Sequence, residues 1–232
     1  MRESSISPPQ LPHLRFLTEA MAQSTQTLDR AFFILQDIVQ KEGKSIDIIT
    51  FNALLSACLI LNDASRAIST YQDAASLKVV PNLETYNLLL SAASKVGHKE
   101  LAMYVLTELK AAGVTPNEST YAHVILTCLF EPEGSYDQAF LYLEEMKAAG
   151  WIPSSGVYAA FVKKCLYHND ERAVTLLEEM KKVGHSTKVL ERYMDFSVRL
   201  GVRSKVLDRR TPLPQEEVIQ DEAIQRFLQW KR

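Results

Sequence analysis

A phrase that returns at a fixed distance constrains this chain more than any other feature. Thr50-Phe51-Asn52 recurs as Thr85-Tyr86-Asn87, as Thr120-Tyr121-Ala122 and as Val157-Tyr158-Ala159, in steps of 35, 35 and 37 residues. A second phrase keeps pace with it. Lys110-Ala111-Ala112-Gly113 leads into Pro116-Asn117, and Lys147-Ala148-Ala149-Gly150 leads into Pro153-Ser154. Self-similarity at this period requires stacked copies of one supersecondary unit, not a single globular core.

Each unit resolves into two helical patterns. In the first, Phe51, Leu54, Leu55, Cys58 and Leu61 make one apolar stripe at i, i+3, i+4, i+7 and i+10. Tyr86, Leu89, Leu90, Ala93 and Val96 repeat it, as do Tyr121, Val124, Ile125 and Cys128, and then Tyr158, Phe161, Val162 and Cys165. The second pattern runs Ala67-Tyr71-Ala74, Ala102-Leu106-Leu109, Ala139-Leu143-Met146 and Ala173-Leu177-Met180, at i, i+4 and i+7. Its alanines let two helix backbones approach closely. Gly113, Gly150 and Gly184 fall where a helix must stop. An earlier second helix is expected at Ala31, Leu35 and Ile38, with a partner between His13 and Gln23. No such pair buries its apolar face alone, so neighbours must stack. The expected fold class is all-α, an α-solenoid of about four to five helix-turn-helix repeats.

The period divides the chain into an irregular segment 1–12, a degenerate first repeat 13–47, repeats 48–82 and 83–117, a repeat 118–154 with an insertion at Glu131-Pro132-Glu133-Gly134, and a degenerate repeat 155–188. A basic helical segment 189–210 follows, then a linker around Pro212 and Pro214 and an amphipathic helix from Glu216 to Trp230. That last helix either caps the array or docks on a partner.

These residues resemble the pentatricopeptide repeat family, over roughly residues 13 to 188. The period of 35, the Thr-Tyr-Asn opening and the Gly-x-x-Pro-Asn ending carry the resemblance. The tetratricopeptide family has a period of 34 and a Trp-x-x-Leu-Gly-x-x-Tyr opening that does not occur here. The resemblance implies a right-handed solenoid that binds single-stranded RNA in organelles, one base per repeat. The family's reading pair falls on Asn52 with Asn82 and on Asn87 with Asn117. An amide offers a donor and an acceptor to a base edge, and the family's Asn pair looks like a pyrimidine reader. Ile49 matches the family's aliphatic sandwich position, where the next repeat has Glu84. Lys95 matches a basic position suited to phosphate. The third repeat has Ala122 with Ser154 and the fourth Ala159 with Lys188, so only two repeats are expected to read bases. Asn82 and Asn117 also have the sequence context of helix N-caps. Asn52 and Asn87 are expected outside the apolar stripe, where substitution should leave stability nearly unchanged.

Charge and composition bound the alternatives. The net charge of −2 argues against strong nonspecific binding to nucleic acid. Positive charge concentrates between Lys181 and Arg210. Cys58, Cys128 and Cys165 each lie seven residues after an opening aromatic, as core fillers rather than metal ligands or disulfides. The acid pairs Glu144-Glu145 and Glu178-Glu179 are read as solvating an outer helix face. The five histidines are scattered, and neither a phosphate-binding loop nor a nucleophile elbow is present. No enzyme activity, metal or cofactor is expected. No run of 18 apolar residues occurs, so membrane insertion is not expected. The expected function is an RNA-binding adaptor in organellar gene expression, acting in RNA stability, processing or translation. The alternative is a protein-binding scaffold in a mitochondrial ribosome or other ribonucleoprotein. Two reading repeats select too little sequence for one transcript, so a larger protein or ribonucleoprotein complex is an expected partner. The expected compartment is the mitochondrion, with the chloroplast as alternative.

Overall fold

The computed structural model describes residues 17–131, 136–192 and 194. The segment 1–12, the start of the first repeat at 13–16, the insertion residues 132–134, residues 193 and 195–210 of the basic segment and the helix from Glu216 to Trp230 lie outside the described residues. Nine helices of nine residues or more are described: α1 (Thr25–Glu42), α2 (Ile48–Ile60), α3 (Ala64–Gln72), α4 (Leu83–Val96), α5 (Lys99–Ala111), α6 (Glu118–Phe130), α7 (Tyr136–Ala148), α8 (Ser155–His168) and α9 (Arg172–Lys182). No strand occurs among the described residues. They fall into two compact units divided within α4, one ending at Ala92 and the other beginning at Ala93.

Two kinds of punctuation bound every helix pair. The first is the N-cap. Asp47, Asn82, Asn117 and Ser154 stand before α2, α4, α6 and α8, and each accepts from the backbone N–H three residues on. The threonine of the recurring phrase is that third residue. Its hydroxyl accepts from the cap's own N–H at Asn82 (3.2 Å) and Asn117 (3.1 Å), which completes a reciprocal box. Asn82 and Asn117 therefore cap as expected. Asp47 and Ser154 do the same at the matching repeat positions.

The second punctuation is a left-handed residue closing every described helix but α6, which ends at Glu131 in extended backbone. After the second helices it is Gly43, Lys78, Gly113, Gly150 and Gly184; after three of the first helices it is Asn62, Gly97 and Asn169. In each case from Lys78 onward, the following N–H reaches back to a carbonyl five residues earlier, as in Val79 to Ala74, Val114 to Leu109 and Trp151 to Met146. Lys78 is the anomaly. It holds φ at 55° where its counterparts are glycine.

The apolar stripes are buried as expected. In the first unit Phe51, Leu54, Leu55 and Cys58 of α2 pack with Ala67, Ile68 and Tyr71 of α3, all below a tenth exposed. In the second, one cluster joins Tyr121, Ile125 and Cys128 of α6, Leu143 and Met146 of α7, Tyr158, Phe161 and Val162 of α8, and Leu177 and Met180 of α9. The cysteine slot is a core slot: all three thiols are free and buried, and burial pushes each up to about 11. The α1 stripe departs from expectation. Leu28 and Val39 are its buried residues, while Ala31, Leu35 and Ile38 are only half-buried.

The acid pairs also differ from the solvating role expected of them. Glu145 of α7 binds Lys110 of α5 at 2.8 Å, and Glu179 of α9 binds Lys147 of α7 at 2.7 Å. Consecutive second helices are thus tied by ion pairs about one repeat apart. Arg66 of α3 makes the matching tie to Asp29 of α1. Such partly exposed pairs each contribute about 0–1 kcal/mol, so they set register more than stability.

A denser knot lies at the α7–α9 end. Arg172 bridges Asp170 (2.6 Å) and Asp137 (2.9 Å) and lies 4.0 Å from the Phe140 ring centre. The Tyr136 hydroxyl donates to Asp170 at 2.7 Å. Hydrogen bonding from Arg172 holds the Asp170 carboxyl down at about 2.

Two stability predictions follow from these contacts. Lys78→Gly removes a left-handed lysine and loses only its exposed bond to the Gly43 carbonyl. The variant should gain about 0.5–1 kcal/mol in chemical denaturation; equal or lower stability counts against strain at that turn. The Asp170 carboxyl titrates lower when folded, so its contribution is complete above about pH 4 and lost as pH falls toward 2. Between pH 4 and 2 the melting temperature of the parent should fall more steeply than that of Asp170→Asn. Parallel pH profiles would dissociate Asp170 from acid stability.

Candidate functional site

The site is built from the first turn of a first helix and the cap of the next. The α2 cap at Asp47 starts the helix so that Phe51 enters the core and Asn52, one residue on, stays half-buried. Thirty residues later Asn82 caps α4. The structure brings the two amides together: Asn52 Nδ2 donates to Asn82 Oδ1 at 3.2 Å. Thr85 closes the group, donating from Oγ1 to Asn52 Oδ1 at 2.7 Å. This residue was absent from the sequence-level candidates. Its signal was the recurring phrase itself, in which threonine stands two positions before the asparagine.

The other candidates are placed as follows. Asn117 caps α6, with Oδ1 accepting from the Thr120 N–H at 3.0 Å. Asn87 is buried, at 8% exposure. Ile49 is half-buried in the first turn of α2, and Lys95 is exposed in the last turn of α4. In the later repeats Ala122 and Ala159 are half-buried, Ser154 caps α8, and Lys188 is exposed. The expectation that Asn52 and Asn87 stand clear of the packing is corrected. Asn87 is enclosed, and both polar atoms of the Asn52 amide are engaged across the repeat boundary. Substitution at either position therefore carries a stability cost.

Charge is segregated between the helix layers. The first helices α2, α4, α6 and α8 carry two acids, Glu84 and Glu118, against Lys95, Lys163 and Lys164. The second helices α3, α5, α7 and α9 carry seven: Glu100, Glu108, Asp137, Glu144, Glu145, Glu178 and Glu179. The four first helices thus hold two of these nine acids.

Comparison with known proteins agrees with this organisation. Residues 69–131 match the pentatricopeptide repeat domain, and residues 1–74 match a second family described as pentatricopeptide repeat-containing protein. A mitochondrial pentatricopeptide repeat-containing protein of Arabidopsis thaliana is 31% identical over 101 residues, 43% of this chain and 16% of the relative. The small ribosomal subunit protein mS39 of Mus musculus is 34% identical over 89 residues, 35% of this chain and 13% of that protein. The matched segment thus spans less than a fifth of either relative. Among solved structures, the pentatricopeptide repeat domain of Arabidopsis thaliana protein-only RNase P 1, crystallised with tRNA, aligns with a TM-score of 0.63 at 19% identity, covering 81% of this chain and 96% of that one. That likeness establishes the fold as an all-α solenoid of helical repeats. With the 35-residue period, the capped first helices and the matched segments, it follows that this chain belongs to the pentatricopeptide repeat family.

Proposed function

We propose that this chain is a single-stranded RNA-binding module, not an enzyme, serving organellar gene expression in RNA stability, processing or translation. The observation that carries the reading is the Asn52–Asn82 amide pair at 3.2 Å. It is a compact hydrogen-bonding unit of the kind that addresses one base edge, on helices α2 and α4, which carry a single acid, Glu84. Asn87 with Asn117 would form the second reader, Ile49 would flank a base, and Lys95 would meet a phosphate. The net charge of −2 does not oppose this, because Glu84 is the one acid within α2 and α4, the helices that carry the pair. The mitochondrion is the proposed compartment, in keeping with the Arabidopsis relative. The tRNA-bound state of the RNase P domain is a precedent for RNA on this fold.

Two readers supply too little discrimination alone, since one good base contact is worth about 1–3 kcal/mol. The proposal therefore includes a larger protein or ribonucleoprotein complex. The match to mS39 favours a ribosomal particle as a second setting, in which the chain acts as a scaffold.

Fluorescence anisotropy tests the reading. The Asn52→Ala, Asn87→Ala double variant should bind pyrimidine-rich single-stranded RNA at least tenfold more weakly than the parent at one fixed salt concentration. Measurement well below the melting temperature separates this loss from the stability cost of the two substitutions. Equal affinity of parent and variant would exclude base reading by these residues.

A further inference from the structure

Thr85 has a role that capping alone does not explain. Its backbone N–H donates to Asn82 Oδ1 at 3.0 Å, and its Oγ1 accepts from the Asn82 N–H at 3.2 Å. Both backbone groups are obligate donors, so both side-chain oxygens are forced to accept. The hydroxyl has a single proton left to give. Two acceptors lie in reach: Asn52 Oδ1 at 2.7 Å and Asn82 Oδ1 at 3.0 Å. The nearer one is Asn52, and Asn82 Oδ1 already receives two other N–H groups.

The polarity of the whole group follows. With Asn52 Oδ1 held on the threonine proton, the Asn52 NH2 turns to Asn82 Oδ1. With Asn82 Oδ1 held on the Thr85 N–H, the Asn82 NH2 turns away from the helix end. Flipping Asn82 loses the bond from the Thr85 backbone N–H, and flipping Asn52 sets its oxygen against Asn82 Oδ1. One N–H of Asn52 and both N–H groups of Asn82 are not used within this group. The pair can offer a ligand mainly donors.

The other repeats of this chain behave consistently. Where the first-helix asparagine becomes Ala122, the matching threonine becomes Val157, and the cap bond lengthens to 3.5 Å. Before α2 the matching position is Leu17, so no asparagine is available. There the Thr50 hydroxyl donates at 2.6 Å to the second oxygen of its own cap, Asp47. A threonine at this position thus serves a cap in either case. It orients a base-facing amide only where an asparagine stands one repeat earlier.

Resting on the RNA reading above, we infer that Thr85 is a positioning residue for base selection. By locking the Asn52 and Asn82 amides in one polarity, it makes the pair select base edges that present adjacent acceptors, as the O2 and N3 atoms of cytosine do. Removal of the hydroxyl leaves the Asn52 amide held only by its bond to Asn82 Oδ1, so the reversed polarity, with donor and acceptor exchanged, becomes more accessible. Selectivity is then lost while contact with the strand remains.

The test measures a ratio of affinities, which a merely structural role would not move. The full chain is titrated with short single-stranded oligoribonucleotides, a pyrimidine set of cytidines and a purine set of adenosines, at fixed salt and well below the melting temperature. Thr85→Val should reduce the pyrimidine-to-purine ratio at least about fivefold. Thr85→Ser, which keeps the hydroxyl, should restore it. Thr50→Val removes the same kind of cap bond where no asparagine is read; it should lower the melting temperature and leave the ratio unchanged. Thr85→Ala removes the hydroxyl without adding a methyl and replaces Thr85→Val if that variant fails to fold. If Asn52→Ala lowers the ratio while Thr85→Val and Thr85→Ala preserve it, the role of Thr85 is overturned and the RNA reading stands. If Asn52→Ala also leaves the ratio intact, or the parent shows no preference, both fall.

Discussion

An apolar stripe that recurs every 35 residues on short helices has no place to be buried except against its neighbours. The first helices show how far this goes. In α2, seven of the 13 residues are buried, including Ala53, Ala57 and Leu59 off the main stripe. Such a helix is covered on more than one side, and its only polar outlets are a few positions such as Asn52 and Ser56. The second helices are less demanding, with buried stripes such as Ala139, Leu143 and Met146 and charged residues elsewhere. The division of labour between the layers, and with it the segregation of charge, comes from this difference in burial.

Stacking alone leaves the ends of many short helices unsatisfied, with four N–H and four C=O groups at each. The chain answers with the same two devices at most described boundaries, a side-chain cap at the start and a left-handed residue at the stop; Glu171 before α9 and Glu131 after α6 are the exceptions. The recurring Thr-Tyr-Asn phrase is then understood residue by residue. Threonine returns the cap's bond at Asn82 and Asn117, the aromatic enters the core, and Asn52 meets the next cap, Asn82. A single tripeptide thus ties local helix initiation to the contact between neighbouring repeats. The proposed reading site is made from those same atoms, which is why its polarity is fixed before any ligand arrives.

The sequence made much of this legible. Helix periodicity located both helices of each pair, because the buried stripes are long and regular. Asn82 and Asn117 could be recognised as caps, since proline precedes each and the helical pattern follows. Asp47 and Ser154 could have been found by the same spacing. The bond from Asn52 to Asn82 could not, because it joins residues 30 apart and neither has a local signal for the other. The inter-repeat ion pairs were hidden for the same reason: Glu145 and Glu179 read as solvated acids until Lys110 and Lys147 are brought beside them. The left-handed Lys78 defeats a glycine-based search for helix ends, although its distance of 35 from Gly43 marks the position.

The central claim is that the first-helix layer, at the Asn52–Asn82–Thr85 group, is where RNA lies. The most direct measurement is photo-cross-linking of the full chain to single-stranded RNA containing 4-thiouridine, followed by mass spectrometry of the cross-linked peptides. The account predicts cross-links in peptides carrying residues 49–52 and 82–87, from the first turns of α2 and α4. Cross-links confined to the second helices α3, α5, α7 and α9 would contradict it.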